Sequence, residues 1–261
     1  MWVSMRKPSI SNLELSVTKI IAISKGYPIA SATGFLYLHD GGIFLVTNRH
    51  CFIDETRGLY PNKVQILLHN NQSNMAENKS VELELYNGET PLWLEHKYKG
   101  IDIAILPLKI LQGEEYKGLI IMPFSRENFL PDDVRLDIGD ALIAIGYPLG
   151  FYDDIHNLPI ARNATIASPY SVFFGNQQVF KDKGERPFFL VDAKLQEGTS
   201  GAPVITKING ITKTASGMKI GGGSGYFLIG INSGQFKDLD LSIVWYIELV
   251  EEIINGTSSL K

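Results

Sequence analysis

The sequence contains almost no cysteine, and this limits where the protein can work. Cys51 is the single cysteine among 261 residues, so no intrachain disulfide can form. Disulfides persist in oxidising compartments and are rare in reducing ones. We therefore expect a cytoplasmic protein that is held together by its hydrophobic core.

Long hydrophobic runs are also lacking. Residues 1–12 contain no apolar stretch of signal-peptide length, and no run approaches the roughly 20 apolar residues that span a bilayer. Neither sign of charge dominates, because 24 Lys and Arg against 28 Asp and Glu give a net charge of −4. That balance argues against a nucleic-acid-binding protein. We expect neither nucleic acid nor a membrane among the partners.

Apolar residues are plentiful, and their pattern predicts a β protein. Hydrophobic residues make up 44% of the chain and charged residues 20%, which is typical of a folded globular protein. Short apolar and β-branched runs bounded by turn residues predict many short strands. The predicted strands are 13–24, 30–39, 43–47, 64–69, 81–86, 101–108, 141–146, 161–168, 188–193, 204–208, 212–219, 226–232 and 241–246. A helix is predicted over 248–255, and the glycine-rich run 221–225 is predicted to be a hairpin tip.

One stretch, EGTSGAPV at 197–204, indicates a nucleophile. Ser200 is flanked by Gly198 and Gly201, and Pro203 follows closely. Glycine adopts backbone angles that other residues avoid, and proline cannot continue a central strand ladder, so Ser200 is predicted to lie on a tight turn. A nucleophilic serine needs this exposure and nearby N–H groups for an oxyanion. Taken alone, such a run is more often a plain loop.

Two further stretches supply partners for this serine. One apolar strand runs into His50, and a second carries Asp102 near its start. Taken singly, His50 fits a strand-end histidine and Asp102 fits a turn cap. Together with Ser200 they follow the chain order His, Asp, Ser, which is the order of chymotrypsin-type enzymes and differs from that of subtilisin and of α/β-hydrolases.

The chain resembles the trypsin-like (chymotrypsin-fold) serine peptidases, in particular the bacterial branch that includes the HtrA-type proteases. The resemblance is carried, in the order of the family, by TGF at 33–35, TNRH at 47–50, DIAIL at 102–106, AIGYPLG at 144–150, the segment 192–203 and GINSG at 230–234. Two positions depart from the family. Ala202 stands where Gly or Ser is usual, and Thr199 stands where digestive members have Asp.

This resemblance implies an all-β fold of two six-stranded antiparallel β-barrels with a short C-terminal helix. Residues 1–118 would form the first barrel, 119–139 a linker, and 140–261 the second barrel with the helix. His50 and Asp102 would face Ser200 across the cleft between the barrels. No PDZ domain is expected after residue 255.

The resemblance also implies the chemistry of a serine endopeptidase that acts on polypeptides through an acyl-enzyme. Ser200 would be the nucleophile, His50 the base, and Asp102 the group that holds the imidazole. The backbone N–H groups of Gly198 and Ser200 would bind the oxyanion. A histidine base of ordinary pKa predicts activity that rises between about pH 5.5 and 7.5.

No cofactor or metal ion is expected. The remaining histidines are His39, His69, His96 and His156, and their spacing does not match a zinc site. Two alternative functions stay open: a catalytically silent trypsin-like fold used as a binding module, and an esterase or self-cleaving enzyme on the same fold. Because Thr199 carries no charge, the turn around Ser200 must be ordered by other contacts or by a regulatory protein partner.

The specificity pocket is expected beside the nucleophile. The candidate substrate-binding residues are Lys194, Leu195, Asn232, Ser233, Gly234 and Ser242. In one interpretation Lys194 points into the pocket and favours acidic or polar side chains before the scissile bond. In the other it points to solvent, and Leu195 faces an apolar pocket. Both interpretations lack an acidic floor and disfavour cleavage after Lys or Arg.

Overall fold

The computed structural model describes residues 12–178, 180, 184–214 and 217–257. They form a mostly β structure with two short α-helices. The helices are α1, Asn12–Leu15, and α2, Glu248–Asn255. The strands are β1 Val17–Ser24, β2 Tyr27–His39, β3 Gly42–Thr47, β4 Lys63–His69, β5 Asn78–Glu84, β6 Tyr86–Asn87, β7 Thr90–Pro91, β8 Leu94–Glu95, β9 Ala104–Pro107, β10 Ala141–Gly146, β11 Ile160–Ile166, β12 Phe188–Asp192, β13 Pro203–Thr214, β14 Gly217–Phe236 and β15 Leu241–Tyr246.

The first half is an antiparallel sheet of seven strands in the order β5-β4-β1-β2-β3-β9-β8. Alternate residues of each strand point to the same face of a sheet, so alternating apolar residues can cover one face of this half. The covered face forms a buried hydrophobic cluster that includes Ile20, Leu45, Val64 and Ile66. This face forms the core of the first half, and the end of β3 lies beside the start of β9.

The second half is a closed barrel in the order β10-β11-β12-β15-β14-β13. Its interior is filled by side chains such as Leu142, Phe189, Val204 and Val244. Helix α2 follows the last strand and ends at Gly256, whose φ of 64° is the left-handed conformation that commonly terminates helices. The predicted C-terminal helix 248–255 is confirmed.

The hairpin predictions between 204 and 232 are wrong in detail. The predicted strand 212–219 is divided between β13 and β14, and the run 221–225, predicted as a hairpin tip, lies inside β14, where Gly225 pairs with Ile208. Gly210, with φ 68°, falls at a shift of the β13–β14 register. A glycine at such a bulge lets a strand continue where the sequence resembles a turn.

A third cluster joins the two halves. It packs Phe35 and Ile103 of the first half against Tyr147 and Ile231 of the second, and α2 contributes Val250 and Ile253. The predicted all-β, chymotrypsin-like architecture with a C-terminal helix is confirmed. Of the two predicted six-stranded barrels, the second half forms one, whereas the first half is a sheet of seven strands. In the part of the chain that the structure describes, no helix has the length and apolarity to cross a membrane.

Candidate active site

His50 and Asp102 meet at the rim of the first half. His50 lies in the 3-10 turn Arg49–Cys51 directly after β3, and Asp102 lies two residues before β9. Strands β3 and β9 pair in antiparallel fashion, so the end of one lies beside the start of the other. The His50 Nδ1 atom is 2.6 Å from Asp102 Oδ2, and the His50 backbone N–H donates to Asp102 Oδ1 at 2.9 Å.

Asp102 is fixed by two more hydrogen bonds. Its Oδ2 atom also accepts a hydrogen bond from the Ser233 hydroxyl at 2.6 Å, and its backbone carbonyl accepts one from Asn48 Nδ2 at 2.7 Å. A carboxylate can only accept, so the ring proton of His50 is placed on Nδ1. The lone pair on Nε2 is then available to take a proton from another group.

Ser200 lies on the turn that precedes β13. Its carbonyl accepts a hydrogen bond from the Thr33 N–H of β2 at 2.9 Å, and its Oγ lies 3.4 Å from the Ser233 carbonyl oxygen. Gly201 follows with φ 82°, and a Cβ there would overlap the Thr33 carbonyl. Only glycine therefore allows the turn to approach β2 so closely.

His50, Asp102 and Ser200 line one cleft of about 770 Å³ between the two halves. Among the described residues, the His50 ring makes no hydrogen bond with Ser200 Oγ. Such contacts are often long in free enzymes and tighten in the substrate complex. The three side chains thus share a solvent-accessible space into which a substrate carbonyl could enter.

Two backbone N–H groups beside Ser200 are available to a ligand. The Glu197 carbonyl accepts a hydrogen bond from Leu149 N–H at 2.6 Å, and in a trans peptide the Gly198 N–H points the opposite way. Gly198 has φ 89°, and a Cβ there would overlap the Tyr147 carbonyl. Within the described part of the chain, the N–H groups of Gly198 and Ser200 have no acceptor. Adjacent unpaired N–H groups on a turn form an anion-binding site.

Thr33 of the first half binds this turn and the Pro148–Gly150 region of the second half. The sequence pattern did not reveal this role. Its hydroxyl donates to the Gly198 carbonyl at 2.7 Å and accepts from Tyr147 N–H at 3.1 Å. Thr33 is fully buried, and a buried hydroxyl in an apolar strand must find partners. A hydroxyl residue within an apolar strand is the feature of the sequence that could have identified Thr33.

The side chain of Asn232 holds the backbone of the turn at Thr199 by hydrogen bonds. Its side-chain Nδ2 donates to the Thr199 carbonyl at 2.9 Å and lies 3.2 Å from the Thr199 hydroxyl. The Thr199 hydroxyl itself donates to the Gln196 carbonyl at 2.5 Å. Contacts within the chain therefore order the turn at the position where digestive relatives have Asp.

The residues expected in the specificity pocket divide into two groups. Leu195, Ser233 and Gly234 line the cleft, and Gln235, which the sequence did not suggest, lies with them. Asn232 and Ser242 are buried behind the cleft, and Ser242 Oγ donates to the Ala193 carbonyl at 2.7 Å. They support the pocket rather than line it.

Lys194 lies outside the cleft. Its Nζ atom is 3.0 Å from Asp240 Oδ1, and both side chains are 58% exposed. The inward orientation considered from the sequence is not the one in the structure, because the ammonium group finds both water and a carboxylate at the surface. Leu195 is buried and takes the place at the cleft wall.

The environment of His50 acts on its pKa in opposite directions. Burial lowers the pKa, whereas the neighbouring Cys51 side chain and the hydrogen bond with the Asp102 carboxylate raise it. The raising effects are the larger, so the pKa of His50 lies well above the ordinary histidine value. An anion next to an imidazole stabilises its protonated form.

The chain is similar in fold to solved structures of low sequence identity. The inactive Ser343Ala mutant of Rv3671c from M. tuberculosis H37Rv is 17% identical, with a TM-score of 0.51 over 95% of this chain and 89% of that one. The active form of Rv3671c protease is 18% identical, with a TM-score of 0.52 over 95% and 83%. A serine endoprotease from Yersinia pestis is 15% identical, with a TM-score of 0.54 over 94% and 63%. At this identity the likeness concerns the fold alone.

Sequence comparison gives the family directly. No functionally curated protein matches the chain, but the family model described as a trypsin-like peptidase domain matches residues 32–210. The matched region begins just before Thr33 and includes His50, Asp102 and Ser200. It covers well over half of the chain and includes every segment on which the resemblance rests except the last, 230–234. The chain therefore belongs to the family of trypsin-like peptidase domains, a family of serine proteases.

Proposed function

We propose that the protein is a serine endopeptidase that cleaves polypeptides through an acyl-enzyme intermediate. The observation that carries the proposal is the 2.6 Å contact between His50 Nδ1 and Asp102 Oδ2 in the cleft that Ser200 also lines. A histidine oriented by a carboxylate, in the same cleft as a partly exposed serine, is the arrangement that activates a hydroxyl nucleophile.

Acylation follows from the positions of these groups. Ser200 Oγ forms a bond to the carbonyl carbon of the scissile peptide, and its proton moves to His50 Nε2. The carbonyl oxygen becomes an anion and binds to the N–H groups of Gly198 and Ser200. When the C–N bond breaks, the imidazolium gives its proton to the leaving amine, and the acyl group remains on Ser200 as an ester.

Deacylation repeats these steps with water as the nucleophile. His50 removes a proton from the attacking water, and the tetrahedral intermediate collapses to release the acid and the Ser200 hydroxyl. Asp102 stays ionised throughout and stabilises the protonated imidazole. Every proton that leaves a nucleophile therefore returns to a leaving group through the same ring.

The cleft wall suggests which side chain precedes the scissile bond. Leu195 and Gln235 line this wall, while the ammonium of Lys194 is held at the surface by Asp240. Leu195 is apolar, Gln235 is uncharged, and the Glu197 carboxylate in the same cleft already pairs with two basic side chains. This wall therefore favours uncharged side chains and rejects Lys and Arg, which would lose their hydration without gaining a free partner. We therefore propose neutral, mainly apolar residues at this position.

An active-site probe separates catalysis from the alternative of a silent binding scaffold. We expect a fluorophosphonate to form a covalent adduct at Ser200, because the probe carries a phosphoryl group that Ser200 can attack and the two N–H groups can hold. Intact-mass analysis before and after proteolytic mapping locates the adduct. An unlabelled wild-type protein would favour the scaffold. Labelling without cleavage of any peptide in a library would favour an esterase or a self-cleaving enzyme.

The pH dependence should reflect the raised pKa of His50. The base works only when it is unprotonated, and a raised pKa keeps it protonated to higher pH. We therefore expect the rising limb of kcat/KM at higher pH than the interval of about 5.5 to 7.5 that an ordinary histidine gives. A rising limb that lies within that interval, with acylation shown to be rate-limiting, would contradict the raised pKa of His50.

A further inference from the structure

A second cavity opens at the start of α2, on the second half of the protein. It has a volume of about 300 Å³, and none of the described residues that line it also lines the cleft between the two halves. Three aromatic side chains, Tyr170, Phe173 and Tyr246, form one part of its wall, and Glu248 and Glu252 of α2 form another. The proposed chemistry uses none of these residues.

The three aromatic rings are arranged around Tyr246. Its ring centroid is 5.2 Å from that of Tyr170 and 5.6 Å from that of Phe173, and the ring planes are inclined at 67° and 43°. The Tyr246 hydroxyl donates a hydrogen bond to the Tyr170 carbonyl, which fixes this arrangement. Because the rings are inclined at different angles, a group that enters the cavity meets ring faces as well as edges. The face of an aromatic ring attracts a cation.

The two carboxylates add negative charge to the same cavity. Glu252 pairs with His96, whose Nε2 atom is 3.4 Å from Glu252 Oε2. Within the described part of the chain, Glu248 has no ion pair. Burial raises the pKa of Glu248, and the charges of Asp132 and Glu252 act in the same direction. A carboxylate that has lost water and lies near other carboxylates is stabilised by a cation.

The lining of the cavity also disfavours a negatively charged ligand. None of the described residues that line it is basic. Burial and the charge of Glu248 raise the pKa of Tyr170 and Tyr246, so both phenols are neutral at pH 7. The α-carboxylate of a free amino acid would therefore find no partner here. A cationic side chain within a polypeptide brings no such group, because its main-chain carbonyl belongs to a peptide bond.

We propose that this cavity binds an arginine side chain of a polypeptide partner. The guanidinium group packs against the rings of Tyr170, Phe173 and Tyr246 and donates hydrogen bonds to the Glu248 carboxylate. Compared with lysine, arginine is more weakly hydrated, stacks on aromatic rings and presents a planar fork of donors that matches a carboxylate. Since the site shares no residue with the catalytic cleft, it holds the partner independently of cleavage.

Titration of the isotope-labelled full-length protein with N-acetyl-arginine amide, followed by NMR, tests the site. N-acetyl-citrulline amide is the matched ligand, because it has nearly the same shape without the charge. We expect the wild-type protein to bind the arginine derivative at least about tenfold more tightly, the effect of hydrogen bonds to a charged group. Glu248→Gln should remove this preference. Phe173→Leu keeps an apolar side chain without a ring and should weaken binding about two- to fivefold.

Asp133→Asn and Phe151→Leu are the matched control variants. Asp133 is an exposed carboxylate next to Asp132, and Phe151 is an exposed aromatic residue, but neither lines the cavity. Each control makes the same kind of change as one of the test variants and should bind the arginine derivative as the wild type does. The NMR spectrum of each variant, compared with that of the wild type away from the cavity, checks that the fold is kept.

Four results would overturn the proposal or a part of it. Equal or undetectable binding of the two derivatives by the wild-type protein would refute a cation site. Unchanged affinity in both Glu248→Gln and Phe173→Leu would refute its location in this cavity. Equal binding of N-acetyl-lysine amide would refute the choice of a guanidinium group. Tighter binding of free arginine than of its blocked derivative would refute a polypeptide as the source of the side chain.

Discussion

Ser200→Ala is expected to abolish peptide cleavage while leaving the fold intact. Loss of the nucleophile of such a triad lowers kcat by about 10⁶. The fold should survive because the one hydrogen bond given by the Ser200 hydroxyl is a long contact of 3.4 Å with the Ser233 carbonyl. Cleavage of an internally quenched peptide measures the loss, and thermal unfolding checks that the melting temperature is unchanged.

Ser31→Ala is the matched control for this experiment. Ser31 is an exposed serine that lines the same cleft, but it lies on β2 and has no part in the proposed chemistry. The variant should cleave the peptide within a few-fold of the wild-type rate. If Ser200→Ala retained a comparable rate, the assignment of Ser200 as the nucleophile would be refuted.

Asp102→Asn is expected to lower kcat by about 10⁴, the loss that this substitution causes when it imposes the wrong histidine tautomer. The backbone N–H of His50 donates to Asp102 Oδ1, so in the variant the amide oxygen of the asparagine must occupy that position. The amide NH₂ then replaces Oδ2 and donates to His50 Nδ1. The ring proton moves to Nε2, which can no longer accept the proton of Ser200.

Ser233→Ala separates this tautomer effect from a simple loss of hydrogen bonding. Ser233 donates to the same Oδ2 atom at 2.6 Å, but its removal leaves the carboxylate and its bond with His50 in place. A hydrogen bond to a charged group contributes about 1.5–3 kcal/mol, so the loss of rate should not exceed about a hundredfold. Equal losses in Asp102→Asn and Ser233→Ala, measured as kcat on one peptide, would contradict the tautomer argument.

Much of the fold could be predicted from local patterns. Apolar runs broken by turn residues gave strands such as 43–47 and 141–146, which match β3 and β10 within a residue. These predictions hold because a strand with one buried face needs alternating apolar residues, and a strand buried on both faces needs a continuous apolar run. The hairpin between β13 and β14 could not be predicted in the same way. There the glycines continue the strands, and pairing with the neighbouring strand, not local preference, decides the outcome.

The sequence alone determined the candidate chemistry of this protein. Its single cysteine excludes an intrachain disulfide, and the order of His50, Asp102 and Ser200, with glycines on either side of the serine, indicated the reaction. Each of these features depends only on the residues present, on a few neighbouring residues, or on the order of residues along the chain. They can therefore be read without knowing which distant segments touch.

Only the tertiary structure decided how the cleft is lined and held. Ser233 proved to contact Asp102, Lys194 is turned to the surface by Asp240, and Thr33 binds the oxyanion turn across 165 residues of chain. The physical reason is that a side chain's direction depends on which charge or carbonyl lies beside it, and those partners come from segments that the sequence keeps far apart.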